Sequence, residues 1–553
     1  SHPYHYEIAL PLRTGGPTSD FSVNQYGLYG QDVWTATPRL NVTFGVRLDA
    51  PRMKAPPQQN DTLAAVVFAH VNGDTDFANT GSFSLANLWS PRFGFNYDVN
   101  GDQSLLVRGG VGVFSGRPPY VWVSNAYANS GLTQALLSCG PTSVPTTSPN
   151  ADTLVPTFVP TLGNIVNGSP TDQPTTCRNQ GPLNTSSLRS SIVYFDHNFR
   201  FPQTLRAALG ADKRLPWGMV GTVDLLYTRT LNQFYLNDVN LRGIVGHTAA
   251  EGNRPLYGTI SASGSASPSR ISSRYNDVIR QSNANGDYSY QASLQLNKRF
   301  SNGLEFNAGY TYSKTYDRMC MTSSISNSNL RFAVLQGTLD NRPLATSCFD
   351  VPQTIGLSAT VNVPFGIEMT LGYTGQSGRP FTYTVNNDAN ADGLSGNDPI
   401  YVPVNSGDID IRQFNTTSRT YVASPASFDS LNNYINGVAC LNNARGTLLA
   451  RNTCRNPWQS FINLRLSKVF PTINGQAFEV NLDVFNLPNF ISSSWGVIHS
   501  TTGFENMALL QQVGYSTTMG RGAYTIVKST LGGTDAVQLS TRYRLLLSGK
   551  YTF

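Results

Sequence analysis

Strict alternation of apolar and polar side chains, over segments of roughly 11–14 residues, constrains this chain more than any other feature. From Pro38 to Ala50, Leu40, Val42, Phe44, Val46 and Leu48 share one face, while Asn41, Thr43, Gly45, Arg47 and Asp49 share the other. The same period recurs at Tyr288–Leu296, Leu304–Tyr312, Ile355–Val363, Ile367–Tyr373, Ile462–Leu466, Phe478–Val484 and Leu539–Phe553. These segments do not supply the spacings of three and four that an amphipathic helix needs. The chain reads as all-β.

Segment length separates two kinds of β protein. Soluble sandwiches and propellers also alternate, but their strands run about 5–6 residues, whereas a tilted membrane-spanning strand needs about 9–11. Composition favours the second kind. The chain is 40% hydrophobic and only 13% charged, yet no apolar run is long enough for a spanning helix. Connections also come in two sizes. Tight turns are expected at Thr37-Pro38, Asn100-Gly101, Leu215-Pro216, Ser301-Asn302-Gly303, Pro364-Phe365-Gly366 and Pro471 to Gly475. Long polar loops are expected at about 51–87, 115–202, 230–286, 317–351, 379–459 and 492–537. Short turns on one rim and long loops on the other describe a transmembrane antiparallel β-barrel of the bacterial outer membrane, with periplasmic turns and extracellular loops. Outer-membrane lipid is then its first partner. A net charge of +6 over 553 residues gives no argument for nucleic acid.

Pairing around the turns gives six hairpins: Phe21–Thr35 with Pro38–Asp49, Trp89–Val99 with Gln103–Ser115, Gln203–Arg214 with Trp217–Arg229, Asp287–Phe300 with Gly303–Lys314, Gln353–Val363 with Gly366–Gly375, and Ser460–Phe470 with Gly475–Phe485. A terminal strand, about Gln538–Phe553, makes about thirteen. The first and last strands then both descend from the outer face, whereas bacterial single-chain barrels usually have an even strand number. An ascending strand is expected upstream, or in the short Tyr4–Leu10 segment. No Met and no signal peptide stand at Ser1. Residues 1–20 therefore read as the N-terminal segment of a truncated or processed chain, and 21–553 as the barrel portion of a larger precursor.

Leu28-Tyr29-Gly30-Gln31-Asp32-Val33-Trp34, followed by Thr37-Pro38-Arg39-Leu40 and Gly45-Val46-Arg47-Leu48-Asp49, resembles TonB-dependent outer-membrane receptors, and within them the Oar-like branch. Ser90-Pro91-Arg92-Phe93-Gly94-Phe95, Arg108-Gly109-Gly110-Val111-Gly112-Val113-Phe114, Gln376-Ser377-Gly378-Arg379-Pro380-Phe381 and Leu464-Arg465-Leu466-Ser467-Lys468 extend the resemblance along the chain. It implies a 22-stranded barrel closed by a plug, with contact to TonB through an N-terminal plug that this stretch does not show. At the other end, Tyr551 and Phe553 resemble the terminal aromatic signal read by the barrel-assembly machinery. The same aromatics also suit an interfacial girdle.

Six cysteines, at 139, 177, 320, 348, 440 and 454, fall two in each of three long loops. One pair per loop selects Cys139–Cys177, Cys320–Cys348 and Cys440–Cys454 from the 15 connectivities that six cysteines allow. Each bridge is worth on the order of 3–4 kcal/mol in the entropic model, in an oxidising compartment. The metal candidate is Asp388-Ala389-Asn390-Ala391-Asp392-Gly393, where oxygen ligands alternate before a Gly, as at the opening of a calcium loop. Asp398 is the nearest closing carboxylate, since Pro399 takes the twelfth position. An Asx-rich turn with solvated carboxylates fits equally well. Asn72-Gly73-Asp74-Thr75-Asp76 is a weaker version of the same pattern. Calcium is the one cofactor the pattern suggests.

No catalytic signature is present: the six His are scattered, at 2, 5, 70, 197, 247 and 499, and there is no nucleophile elbow. An enzyme is not expected. Arg39, Arg47, Arg108, Asp224, Glu305, Arg465, Glu479 and Asp483 should face the lumen and pair with one another. Tyr120, Trp122 and Tyr127, in the largest loop, either stack on a ligand or pack that loop's own core. Two functional classes follow. One is a TonB-dependent transporter barrel whose loops capture a ligand for energised uptake. The other is a surface-exposed structural or adhesion barrel whose loops bind partner proteins without transport.

Overall fold

A computed structural model describes residues 6–12, 19–81, 83, 85–116, 120–139, 155–157, 159, 161, 163, 165–166, 169–170, 172–178, 190–301, 303–501, 504–531 and 541–553. His2, His5, Tyr4, Asn302 and the start of the expected terminal strand lie outside the described residues.

Among the described residues, thirteen long strands form one antiparallel wall in chain order. They are β1 (Val23–Thr37), β2 (Leu40–Met53), β3 (Leu88–Asp98), β4 (Leu105–Ser115), β5 (Gln203–Leu215), β6 (Met219–Leu231), β7 (Tyr288–Arg299), β8 (Glu305–Asp317), β9 (Gln353–Val363), β10 (Ile367–Gln376), β11 (Gln459–Pro471), β12 (Ala477–Phe485) and β13 (Arg544–Thr552). The short strand Ala345–Thr346 adds to β8 as a fourteenth member. All six expected hairpins are present, within about four residues at their ends. β1 and β13 both run from the long-loop rim to the short-turn rim, and both are exposed along most of their length.

The Tyr4–Leu10 segment is not the missing wall strand. Tyr6–Pro11 pairs instead with Gln134–Cys139, a strand inside the largest loop. Leu10, Leu137, Cys139 and Cys177 form a small buried cluster there, so the segment serves the loop layer.

Register carries the alternation across the sheet. Phe44 lies opposite Phe93, which lies opposite Val111; Val223 lies opposite Leu294, which lies opposite Tyr310; Leu371 lies opposite Leu464, then Val484, then Leu545. Many of these side chains are exposed, including Phe44, Phe93, Val111, Val223, Leu294, Tyr310, Leu371 and Leu545. A continuous apolar face of this size is unfavourable in water and favourable against hydrocarbon. Two short turns share one chemistry. Trp217 and Gly218 adopt φ of 62° and 67°, and Phe365 and Gly366 adopt 71° and 64°. Consecutive left-handed residues match the right-handed twist of a hairpin. They leave both aromatic rings more than 80% exposed at the short-turn rim, where interfacial anchors sit.

The described parts of the long connections are folded. Two of them build a six-stranded sheet, in the order Thr420–Ala423, Asp410–Asn415, Arg521–Ile526, Asn506–Ser516, Pro380–Asn386, Cys454–Arg455. A second sheet places Tyr275–Ala284 between Ser190–Phe195, parallel, and Gln233–Asp238, antiparallel. The largest buried cluster joins Phe381, Val402, Leu431 and Ile435 to Leu509, Leu510 and Tyr524. The outer end of the molecule is therefore a folded cap.

Candidate functional site

On the polar face of the wall, charged side chains meet across strands. Arg47 donates to Asp49 at 2.9 and 2.7 Å, and the Ser115 hydroxyl donates to the same carboxylate at 3.0 Å. Arg108 pairs with Asp212 and, at 2.6 Å, with Asp224. Arg465 lies opposite Asp483 and reaches both of its oxygens, at 2.6 and 3.0 Å. Glu305 pairs with Arg299, and Glu479 accepts from Ser467 at 3.1 Å. The expected mutual pairing thus holds for Arg108 with Asp224 and Arg465 with Asp483, while Arg47 and Glu305 pair with residues outside the expected set, Asp49 and Arg299. Arg39 sits apart, at the short-turn rim beside Gly101.

Two further arginines on this face share one aromatic ring. Arg92 and Arg206 lie 4.6 and 6.0 Å from the centre of the Phe114 ring, one from each neighbouring strand, and neither pairs with a described carboxylate. They border a cavity of about 400 Å³ that also touches Arg108 and Asp224. A second cavity, of about 530 Å³, is lined by Tyr29, Arg47, Asp49, Arg92 and Ser115. Cations over an aromatic ring keep their charge free for an anion. Sequence reading passed over both arginines, because their common environment depends on β3–β4–β5 register.

In the cap, Tyr120, Trp122 and Tyr127 lie on the helix Tyr120–Ala128 and pack inward. Trp122 meets Phe234 edge-on at 4.4 Å, Tyr120 meets Phe201 at 6.3 Å, and Tyr127 stacks on Phe21 at 4.6 Å. The Tyr127 hydroxyl donates to the Ala55 carbonyl at 2.5 Å, and burial pushes its pKa up to about 12. These rings form the core of their loop. Tyr127 alone also borders a cavity, of about 480 Å³.

The six cysteines form the three expected bridges, Cys139–Cys177, Cys320–Cys348 and Cys440–Cys454. Other cap joints are ionic. Arg451 is buried between Asp317, the last residue of β8, and Glu505. Asp238 accepts from Arg270 at 3.0 Å beside Asp277, whose carboxyl burial and Asp238 together push up to about 7.

Asp388, Asn390, Asp392 and Asp398 are brought together and buried. Asp388 accepts from the Asp392 and Gly393 amides at 3.1 and 2.8 Å, Asp392 from the Leu394 amide at 2.8 Å, and Asp398 from the Ala389 amide at 2.8 Å. Burial, then the neighbouring carboxylates, raises the Asp388 pKa well above the usual range; burial and Asp392 push Asp398 up to about 7. The expected solvated Asx turn is half right: the turn is there, the solvent is not. Among the described residues no three His, Cys, Asp or Glu side chains close on one point as metal ligands. In the weaker pattern, Asn72 and Asp74 bond each other and Asp76 pairs with His70 and Arg280, an ordinary turn. At the C-terminus, Tyr551 lies opposite Phe478, and Phe553 is 93% exposed.

An outer-membrane β-barrel domain model matches residues 12–501. The chain belongs to that family. Its apolar face is therefore the lipid face of a barrel in the bacterial outer membrane. No curated protein sequence matches this outer-membrane barrel. Solved structures of similar shape include the outer-membrane transporter YddB of Escherichia coli, 11% identical with a TM-score of 0.44, covering 96% of this chain and 45% of the transporter. A mutant ferric enterobactin receptor, PfeA of Pseudomonas aeruginosa, is 10% identical with a TM-score of 0.40, covering 99% and 50%. The FrpB iron transporter of Neisseria meningitidis is 10% identical with a TM-score of 0.36, covering 85% and 42%. The barrel chain spans half or less of the length of these structures.

Proposed function

We propose that this barrel portion belongs to a TonB-dependent receptor-transporter of the Oar-like type, whose cap binds a ligand for energised uptake. The observation that carries the reading is the pairing of a pre-folded cap with a polar wall face that holds cations in reserve. Cap loops cross-linked by sheets and disulfides lose little freedom on binding, so they suit capture of a dilute solute. Below them, Arg92 and Arg206 around Phe114 offer charge to an anionic solute or to the acidic face of a plug. TonB, through an N-terminal plug, and the barrel-assembly machinery are the partners this reading requires.

Cap bulk favours a second reading, a surface barrel that binds partner proteins without transport. One experiment separates the two. Outer-membrane vesicles and whole cells carrying or lacking the full-length protein are compared for accumulation of labelled anionic solutes, with and without TonB. Uptake lost equally on removing the receptor or TonB supports transport. Unchanged uptake with lost cell–surface adhesion overturns it.

A further inference from the structure

Three carboxylates sit in one turn of the cap with too little positive charge beside them. Asp392 and Asp398 are 1% exposed and Asp388 9%. Their hydrogen-bond donors are neutral: backbone amides, and the Asn390 and Asn397 side chains, which reach Asp392 Oδ2 at 3.1 and 2.9 Å. Within ion-pair distance the only described cation is Arg254, 3.7 Å from Asp398, and Arg254 also faces Glu251 at 3.9 Å. The buried Arg342 guanidinium spends Nη1 on the Ala333 and Val334 carbonyls and makes no ion pair among the described residues. Asp388 and Asp392 therefore have no contacting counter-ion among the described residues, and ionising a buried carboxylate without one is costly.

An independent observation points to a missing cation. Asn397 is fully buried, its amide lies against Asp392, and its Oδ1 has no hydrogen-bond partner. Buried amide oxygens without a donor are rare. A cavity of about 130 Å³ borders the turn on the side of Asn390 and Asp398, where Arg254 and Pro399 also line it.

We propose that this turn binds one calcium ion, using the Asp388 and Asp392 carboxylates with the Asn390 and Asn397 amide oxygens, and Asp398 as a neighbouring charge. A mixed set of this kind needs only two acidic ligands. All donors are hard oxygens, with no imidazole or thiolate, which suits calcium and disfavours zinc. The site joins three connections of the cap. The Tyr257 amide donates to the Asn390 carbonyl at 2.8 Å, the Leu335 amide to the Asn397 carbonyl at 2.9 Å, and Arg254 to the Pro399 carbonyl at 2.8 Å. Calcium bound here orders the cap by neutralising carboxylates at a point where three of its connections meet.

The test uses the full chain in detergent, stripped with chelator and then dialysed against calcium. One ion per chain is expected. At free calcium tenfold above the dissociation constant, proteolysis between residues 377 and 458 should slow roughly tenfold, since binding to the folded form alone depletes the open form in proportion. Magnesium should protect much less. Asp388→Asn combined with Asp392→Asn should abolish binding. If that variant fails to fold, Asn397→Ala, which removes a single neutral oxygen, should weaken calcium binding several-fold. A folded wild-type chain that binds no calcium overturns the proposal. So does equal protection by magnesium, or calcium binding unchanged in a folded variant.

Discussion

Arg108 and Asp224 form a 2.6 Å ion pair that spans a whole strand, with Gly210 of β5 directly between them in register. A Cβ at Gly210 would collide with Asp224 Oδ1 and stand 3.0 Å from Arg108 Cζ. The absent side chain is what lets β4 and β6 exchange charge over β5.

Replacing a strand Gly by Ala ordinarily stabilises a protein by about 0.5–1 kcal/mol. At Gly210 the sign should reverse. Gly210→Ala is expected to cost on the order of 1 kcal/mol, because overpacking displaces Asp224 from Arg108. Both partners are over a third exposed, which limits the pair's own worth. In urea unfolding of the lipid-reconstituted barrel, Gly210→Ala and Asp224→Asn should combine to less than the sum of their separate effects. Strict additivity would show that Gly210 does not serve the pair.

The wall was legible because each hairpin is local. Arg465 and Asp483 are found by counting twos along β11 and β12 from one turn, and the structure pairs them directly. The cap was not legible. Ser190–Phe195 lies parallel to Tyr275–Ala284, and Arg451 meets Asp317 from 134 residues away. No periodicity within either segment encodes such a partner. Tyr120, Trp122 and Tyr127 read as a ligand platform or as a loop core, because composition cannot say which way a ring faces. Of the rings that cover them, Phe201 comes from the far end of the same connection, and Phe21 and Phe234 come from other parts of the chain.

Adjacent residues on β7 should respond unequally to charge. Leu294 is exposed on the apolar face, while Gln295 lies opposite Thr222, whose hydroxyl donates to Asp212 on the polar face. Leu294→Arg should cost about 2–4 kcal/mol if this position lies near the bilayer midplane. Gln295→Arg should cost under about 1 kcal/mol, as a solvated charge among ion pairs. Unfolding in lipid vesicles measures both. Equal costs would mean that the two faces do not divide lipid from lumen.

Arg451 ties the wall to the cap. Its guanidinium binds Asp317 at the end of β8 and Glu505 in the last long connection, and it also donates to the Asp317 carbonyl at 3.0 Å. Arg451→Leu leaves two buried carboxylates without a cation, a change worth about 3–5 kcal/mol. Proteolysis of the 318–352 connection should accelerate, while the wall keeps its folded mobility on unheated gels. Arg451→Lys should rescue little, since one ammonium cannot reproduce the forked contact. Adding Asp317→Asn and Glu505→Gln to Arg451→Leu should restore part of the resistance. No restoration would locate the damage in packing rather than in unpaired charge.

Acid should tighten the inner sheet of the cap. Burial, reinforced by Asp238, raises the Asp277 carboxyl to about 7 from its ordinary value of 3.8. Asp277 Oδ2 accepts from Asn327 at 2.6 Å, and the Ser191 hydroxyl also favours the ionised carboxyl, but burial outweighs both. Between those two pKa values the folded chain holds a proton that the unfolded chain has released. Stability from this group is therefore fully present below about pH 4 and declines as pH rises through about 7. Amide exchange in Tyr275–Ala284, corrected for intrinsic rate, should show stronger protection at pH 5 than at pH 8. Asp277→Asn supplies a permanently neutral side chain of the same shape, so it should flatten the dependence and hold the protection seen at pH 5. An unchanged pH profile in that variant would assign the effect to another group, such as Asp238, which burial also raises.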